Sequence, residues 1–292
     1  MAIPVEELHE ILEFHRARGH HYDRQRRHVA GRRGFGRRRQ AALRVLILGG
    51  TGEARELARI ASDERGLDIV SSLAGRVAHP RLPVGPVRIG GFGGVEGLRT
   101  WLRENAIDAV VDATHPFAAQ VSAHAATAAD ELGIPALHLR RPEWVQRPGD
   151  LWTRVPDLTS AAAVLATHGE RVLLTIGRQG VGAFAGCARH RFVIRSIDAP
   201  TAPLPPRYEL LLARGPFTFD DELVLMSRHR IDVLVTKNSG GEQTEAKIFA
   251  ARTAGLPVVM IDRPPLPVDA VTVDEVAAAV DWLHDAASHR VR

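Results

Sequence analysis

The residues of this sequence that could do chemistry cluster at glycine-rich turns. The first cluster is Gly49-Gly50-Thr51-Gly52-Glu53-Ala54-Arg55, directly after the apolar run Arg44–Leu48. Glycines there let a backbone approach a pyrophosphate, and a helix starting at the turn offers unpaired N–H groups and a positive dipole end. Gly50 and Gly52 fit the pattern G-x-G-x-x-G, while Arg55 stands where the third glycine would be. The second cluster ends the next apolar run, Ser71-Ser72-Leu73-Ala74-Gly75-Arg76. An acidic residue at that place binds a ribose 2′-hydroxyl and repels a 2′-phosphate. Ser72 and Arg76 can instead hold a phosphate through charge-assisted hydrogen bonds, so the pattern favours NADP over NAD.

The third cluster is Asp112-Ala113-Thr114-His115-Pro116-Phe117-Ala118. Thr114 and His115 are expected to border a nicotinamide. His115 serves there either as a proton donor or as a hydrogen-bonding wall. The loop Gly90–Gly94 has four glycines and allows close approach to a flat ligand. Later in the chain come Thr175-Ile176-Gly177-Arg178-Gln179-Gly180, Arg214-Gly215-Pro216-Phe217 and Thr236-Lys237-Asn238-Ser239-Gly240-Gly241. With Arg140 and Arg141, their cations suggest a small polyanionic substrate. Other chemistries lack their residues: there is no Cys/His set with zinc spacing, no G-x-S-x-G and no G-x-x-x-x-G-K-[ST]. Tyr22 and Tyr208 are the only tyrosines and neither has Lys four residues on, which counts against the short-chain dehydrogenase pattern.

The elements that must position these turns alternate. Strands are predicted at Arg44–Leu48, Asp68–Ser72, Pro86–Ile89, Ala109–Asp112 and Ala136–Leu139 in the first half. In the second they fall at Arg171–Ile176, Phe192–Ser196, Val233–Thr236 and Val258–Ile261. Helices are predicted at Glu53–Ser62, Val95–Asn105, Pro116–Leu132, Val181–Ala188, Asp220–Arg230, Gln243–Ala254 and Val273–Ala287. Strand–helix alternation argues parallel sheets covered on both faces. The two halves also match locally: Ile107–His115 aligns with Ile231–Ser239 (offset 124), Gly133–Pro142 with Gly255–Pro264 (122) and Arg44–Gly50 with Arg171–Gly177 (127). The expected architecture is therefore α/β, two Rossmann-like parallel-sheet domains facing a central cleft at the carboxyl ends of the strands. Residues 43–142 form the NADP-binding domain, and residues 143–292 form the second domain on the substrate side.

Composition narrows the class further. The 292 residues carry a net charge of +4, but residues 1–42 hold ten Arg against five Asp or Glu. The remaining chain has 28 basic and 29 acidic residues, so its body is not basic. Residues 1–42 read as a mostly disordered basic extension, with a short amphipathic helix over Val5–Phe14. Nucleic acid is not an expected partner of the body. A single cysteine, Cys187, excludes an internal disulfide framework and points to a cytoplasmic setting. No apolar run approaches the roughly 20 residues of a membrane helix.

As a set, Leu46–Arg55, Ser72–Arg76, Asp112–Ala118, Arg141–Trp144, Thr175–Gly180 and Thr236–Gly241 resemble the precorrin-6A reductase family, in order and from Leu43 to Ala287. The resemblance implies an NADPH-dependent reduction of one ring double bond of precorrin-6A, giving precorrin-6B in cobalamin biosynthesis. It implies a polycarboxylate tetrapyrrole substrate and a monomer or weak dimer. Within it, Gly49, Gly50, Thr51 and Gly52 hold the pyrophosphate, and Ser72 and Arg76 the 2′-phosphate. Thr114 and His115 border the nicotinamide, and Arg178, Arg214, Lys237 and Ser239 meet the substrate. Three other readings fit the residues: a cobalt-precorrin-6A reductase, another NADP-dependent oxidoreductase, and a nucleotide-binding redox regulator without catalytic activity.

Overall fold

Apolar runs too short for membrane helices become the centres of two parallel six-stranded sheets in the computed structural model, which describes residues 42–75 and 77–289. The basic extension, save its last residue, and Arg76 lie outside the described residues. In chain order, β1 (Leu43–Leu48) leads through α1 (Gly52–Asp63) to β2 (Leu67–Leu73) and β3 (Val87–Ile89). Then come α2 (Gly94–Glu104), β4 (Ala109–Asp112), α3 (Ala119–Leu132) and β5 (Ala136–Leu139). The chain continues with β6 (Leu151–Val155), α4 (Leu158–Val164), β7 (Arg171–Thr175), β8 (Arg191–Ser196) and β9 (Tyr208–Leu212). It ends with α5 (Phe219–Arg228), β10 (Val233–Lys237), α6 (Ala246–Thr253), β11 (Pro257–Ile261), β12 (Thr272–Val273) and α7 (Val276–His289).

The first sheet has the order β12-β5-β4-β1-β2-β3 and the second β6-β11-β10-β7-β8-β9, parallel throughout. Position by position the two orders correspond, and so does the register. Leu46 pairs with Val110 in the first sheet, and the residues offset by 127 and 124, Leu173 and Leu234, pair in the second. Likewise Val110 pairs with Ala136, and Leu234 with Val258. The three sequence matches are thus equivalent strands of two like-built sheets.

The sixth strands are exchanged. After β5 the chain leaves the first sheet and lays β6 beside β11 in the second. After β11 it returns, laying β12 beside β5. This corrects the boundary at 142/143: the C-terminal strand and helix belong with the first sheet. The reason is apolar area. Ala279 and Leu283 of α7 are fully buried against Ala54, Leu57, Ala58 and Ala61, a helical stripe on α1, and against Leu139. Each sheet buries its central strands on both faces, which is why β1, β4, β7 and β10 read as continuous apolar runs.

Three further expectations change. The edge strands β6, β9 and β12 were not anticipated. The helix expected over Val181–Ala188 is a 3-10 turn, Val181–Phe184. The helix expected from Pro116 starts at Ala119, because a turn closed by Ala118 N to His115 O (2.7 Å) takes up the preceding residues. No helix among the described residues is long and apolar enough to cross a membrane.

Candidate functional site

The glycine turn after β1 is built as the sequence suggests, with one difference in how Thr51 is used. Thr51 caps α1: its Oγ1 accepts from Ala54 N (3.1 Å) and donates to Ala113 O (2.8 Å). The side chain therefore fastens the turn to the end of β4, and only its backbone N–H is left for a ligand. Gly50 takes φ +122°, a conformation L side chains rarely adopt, so the turn requires glycine there. The first-turn N–H groups of Gly52 and Glu53 have no partner within the helix. Gly49 N–H is committed to Ser72 O at 2.9 Å. The backbone N–H groups of residues 50–53 thus remain as donors at the turn, a set that would suit a pyrophosphate.

Ser72 is buried at the end of β2. Its partner is Arg88 of β3, whose Nη1 donates to Ser72 Oγ (3.4 Å) and to Gly90 O, and whose Nη2 donates to Gly91 O (2.7 Å). The guanidinium carbon lies 3.8 Å from the centre of the Phe92 ring. Burial lowers the pKa of Arg88 from its ordinary value, and the group stays charged. Arg88 thus holds the glycine loop in place and brings a cation to the Ser72 hydroxyl, a role the sequence did not reveal.

At the end of β4, Asp112 is buried and organises its neighbours. Its Oδ1 accepts from Thr114 N (3.0 Å) and Thr114 Oγ1 (2.6 Å), and its Oδ2 pairs with His138 Nδ1 (3.1 Å). Burial alone would raise its pKa; hydrogen bonds from His138, Ser122 and Thr114 outweigh this and lower it. The carboxylate is therefore ionised, and Thr114 spends its hydroxyl hydrogen on it. His115 Nδ1 accepts from Phe117 N (3.2 Å), leaving Nε2 to carry the proton of the neutral ring. Crowding by protein atoms is the largest cause that lowers the His115 pKa to about 3, followed by Arg141, Lys237, Arg263 and Lys247. The residue is exposed, and the four cations add to the lowering. A neutral ring with its proton on Nε2 can serve as a hydrogen-bonding wall.

Residues of the second sheet face these groups. Lys237, half-buried at the end of β10, has its Nζ 5.0 Å from the centre of the Phe117 ring, and burial lowers its pKa. Ser239 follows in the loop, its carbonyl accepting from Arg141 Nε (2.8 Å) and Arg263 Nη2 (3.1 Å). A Cβ on Gly240 would stand 1.9 Å from Pro142 O, so this loop can pack on the crossing segment only as glycine. Asn238 is fully buried and locks the same seam: Trp144 N donates to its Oδ1 (2.9 Å), and its Nδ2 donates to Glu143 Oε2 (3.0 Å). Arg178 sits half-buried just after β7.

Two cations assigned to a substrate by the sequence are occupied otherwise. Arg141 Nη1 pairs with Glu53 Oε2 at 3.0 Å, and Arg140 Nη2 donates to Pro116 O (3.2 Å) and Pro264 O (3.0 Å). Both brace the junction between the halves. A third, Arg214, reaches across to the loop after β2, donating from Nη2 to His79 O (2.8 Å). Its neighbour Gly215 lies against Gln243, whose side chain reaches Gly52 of the glycine turn. A cavity of about 610 Å³ lies along the crossing segments Arg140–Glu143 and Arg263–Leu266. It includes neither the glycine turn nor Thr114, so we place the site at the strand ends instead.

A family model described as "Precorrin-6x reductase CbiJ/CobK" matches residues 44–284. The chain belongs to this family. Within the precorrin-6x reductases, the chain is 60% identical over 240 residues to the precorrin-6A reductase of Rhodococcus erythropolis, covering 82% of this chain and 97% of that one. It is 54% identical over 241 residues to the precorrin-6A reductase of Mycobacterium tuberculosis (strain ATCC 25618 / H37Rv), covering 82% and 97%. A solved structure titled "CobK precorrin-6A reductase" superposes with a TM-score of 0.78 at 43% identity, covering 83% of this chain and 96% of that one. The matched span runs from β1 into α7 and so takes in both sheets, and the α/β architecture of paired parallel sheets is that of the family.

Sequence reasoning missed Arg88 and Gln243, and did not foresee that Asn238 locks the seam. Arg88 could have been noticed as a cation inside a strand two residues before a glycine run. Gln243 had no such signal, since its relation to Gly52 exists only once the halves meet.

Proposed function

We propose that the protein reduces precorrin-6A to precorrin-6B with NADPH bound at the turn after β1 and the macrocycle held against the loops of the second sheet. The observation that carries this reading is the meeting of the two walls. Lys237 of β10 lies over Phe117, two residues after His115, and Arg141 joins Glu53 to Ser239. Relatives named precorrin-6A reductase are 43–60% identical to the chain, and those named cobalt-precorrin-6A reductase 27–29%. This gap supports the metal-free macrocycle.

When bound, the reduced nicotinamide supplies a hydride to one ring double bond. Catalysis by the chain is then chiefly positioning. The N–H groups of residues 50–53 take the pyrophosphate. Ser72 and Arg88, with Arg76, take the 2′-phosphate. Thr114, its hydrogen given to Asp112, offers only oxygen lone pairs to the cleft and can accept from a carboxamide. His115, neutral, donates from Nε2 and does not act as the acid. Lys237 and Arg178 meet peripheral carboxylates of the substrate, and the Ser239 hydroxyl adds a hydrogen bond. The single cysteine is consistent with a cytoplasmic enzyme.

The test is anaerobic absorbance of the purified protein with precorrin-6A, adding NADPH or NADH in parallel. A change in the macrocycle spectrum with stoichiometric NADPH loss, and a much slower change with NADH, is the expected result. An inert macrocycle with a protein that binds NADPH, and turnover only of the cobalt-bearing compound, would refute the substrate assignment.

A further inference from the structure

Arg55, Arg81 and Arg214 come from three separate segments that converge around the glycine turn. Arg55 occupies the place of the third glycine, and its side chain doubles back over its own helix start. Its Nη2 lies 3.8 Å from the position a Cβ on Gly52 would take. That position is also 3.0 Å from Nε2 of Gln243, which belongs to the second half. Gln243 O in turn lies 3.4 Å from the Cβ position of Gly215, the neighbour of Arg214. Arg214 then reaches back to His79 O at 2.8 Å, in the loop that carries Arg81. A second tie fastens that loop to the second half, Ala78 N to Asp198 Oδ2 at 3.3 Å. Arg55 feels the other two: after burial, Arg81 and Arg214 are causes that lower its pKa, while Glu53 opposes them. The Glu53 carboxylate is held by Arg141. Among the described residues no ion pair joins Arg55, Arg81 or Arg214 to a carboxylate.

We propose that Arg55, Arg81 and Arg214 form a clamp for the pyrophosphate of the dinucleotide, gripping it from both halves of the molecule at once. The proposal rests on reading the turn as a dinucleotide site. A dinucleotide pyrophosphate carries two negative charges, and each guanidinium can present two parallel N–H donors to a phosphate. Three like charges held together repel, and a dianion between them relieves that repulsion. The missing third glycine thus has a use: Arg55 exchanges close helix packing for a cation, and Arg214 supplies a second cation from the opposite wall. Carboxylates of a macrocycle share the same anionic oxygen chemistry, so the test must separate the two sources.

The test uses full-length protein with Arg55→Ala, Arg81→Ala and Arg214→Ala. Calorimetric titration gives Kd for NADPH and NADH, and steady-state kinetics at saturating NADPH gives KM for precorrin-6A. Losing a charge-assisted contact should weaken binding about tenfold or more in Arg55→Ala and Arg214→Ala. NADPH and NADH should weaken by the same factor, since both carry the pyrophosphate. The dependence of Kd on salt should become shallower, and KM for precorrin-6A should stay within about twofold. Arg81 is exposed in a loop, so Arg81→Ala gives a variant whose folding is not at issue and whose Kd should shift in the same sense. Unchanged Kd values would overturn the clamp. A raised KM for precorrin-6A with unchanged Kd would overturn it by giving the cations to the substrate. Weakening of NADPH alone would overturn it by giving them to the 2′-phosphate. A wild-type protein that binds neither dinucleotide would refute the dinucleotide reading itself, and the clamp with it.

Discussion

Arg88→Ala should raise the Kd for NADPH much more than that for NADH. A guanidinium has five N–H donors. In this structure two on Nη1 go to Ser72 Oγ and Gly90 O, and one on Nη2 goes to Gly91 O. The Nε hydrogen, the second Nη2 hydrogen and the full charge remain, beside the buried Ser72 hydroxyl near the end of β2. A phosphate placed there gains charge-assisted hydrogen bonds, each contributing about 1.5–3 kcal/mol, or about 10- to 150-fold in Kd. The substitution also frees the loop Gly90–Gly94, which Arg88 ties down and Phe92 covers. That second effect touches both cofactors alike, so the ratio of the two Kd values, not either alone, isolates the phosphate contact. Arg88→Lys keeps the charge and loses the fork, and its ratio should fall between. Arg76→Ala should move the ratio in the same direction. Titration of each variant with NADPH and NADH by protein fluorescence or calorimetry provides the measurement. Equal weakening of both cofactors by Arg88→Ala would show that Arg88 only shapes the loop, and the reasoning would be wrong.

Four further expectations concern the machinery around that site. Asp112→Asn and Thr114→Ala should each lower kcat/KM by about tenfold, and the double variant should do little more than either, since one group acts through the other; additive losses in a double-mutant cycle would show that they act separately. With its pKa near 3, His115 gains charge only in strong acid, so His115→Gln should leave the shape of the kcat/KM profile between about pH 5 and 8 unchanged; an acid limb that disappears in the variant would make His115 a titrating group. Burial chiefly, then Arg195, lower the pKa of Lys247 to about 7 from 10.5. The folded chain therefore binds fewer protons than the unfolded chain between those values, and stability should rise as pH rises through that window. Lys247→Met should flatten this rise and stabilise most near pH 6, read by urea denaturation; equal destabilisation at pH 6 and pH 10 would mean that the contact with Trp144 (4.5 Å) and the bond to Thr244 O (2.8 Å) dominate. Finally, a fragment of residues 43–142 should fail to fold cooperatively, while the same fragment extended through a short linker by residues 268–289 should fold; far-ultraviolet circular dichroism during denaturation distinguishes the two.

What could be read from the sequence divides along burial. The strands β1, β4, β7 and β10 are shielded on both faces and spell continuous apolar runs, so their positions and their internal correspondence are legible. The strands β6 and β9 are edges with exposed residues, Leu151 and Tyr208 among them, and β12 has two residues. Their place in a sheet is fixed by what lies beside them rather than by their own pattern. The site divides in the same way. Gly50 shows itself because a turn with φ +122° needs glycine, whatever surrounds it. Arg140 and Arg141 looked like substrate cations because their actual partners, Pro116 O, Pro264 O, Ser239 O and Glu53, are backbone or distant in sequence. Burial lowers the His115 pKa most, and the cations that add to it include Lys237, Lys247 and Arg263, all more than a hundred residues later, so no local pattern encodes the effect.

The exchange of sixth strands explains why so many of these long-range contacts converge. If β6 followed β5 in the first sheet and β12 followed β11 in the second, a single linker would join two complete sheets, and relative motion of the halves would be the default. Instead two segments cross, near residues 140–150 and 262–271, and each must leave one sheet and join the other. Arg263 fastens the crossings together, donating from Nε to Asn238 O (2.8 Å), from Nη1 to Arg141 O (2.8 Å) and from Nη2 to Pro142 O (3.0 Å). Burial chiefly lowers its pKa to about 10, which leaves it charged at neutral pH and able to hold four carbonyls at once, that of Ser239 included. Opening the cleft widely would require breaking this staple or pulling an edge strand out of a sheet. A fixed spacing between the two walls suits a reaction in which little covalent work falls to the protein and the rate depends on the distance between a carbon on one wall and a double bond on the other.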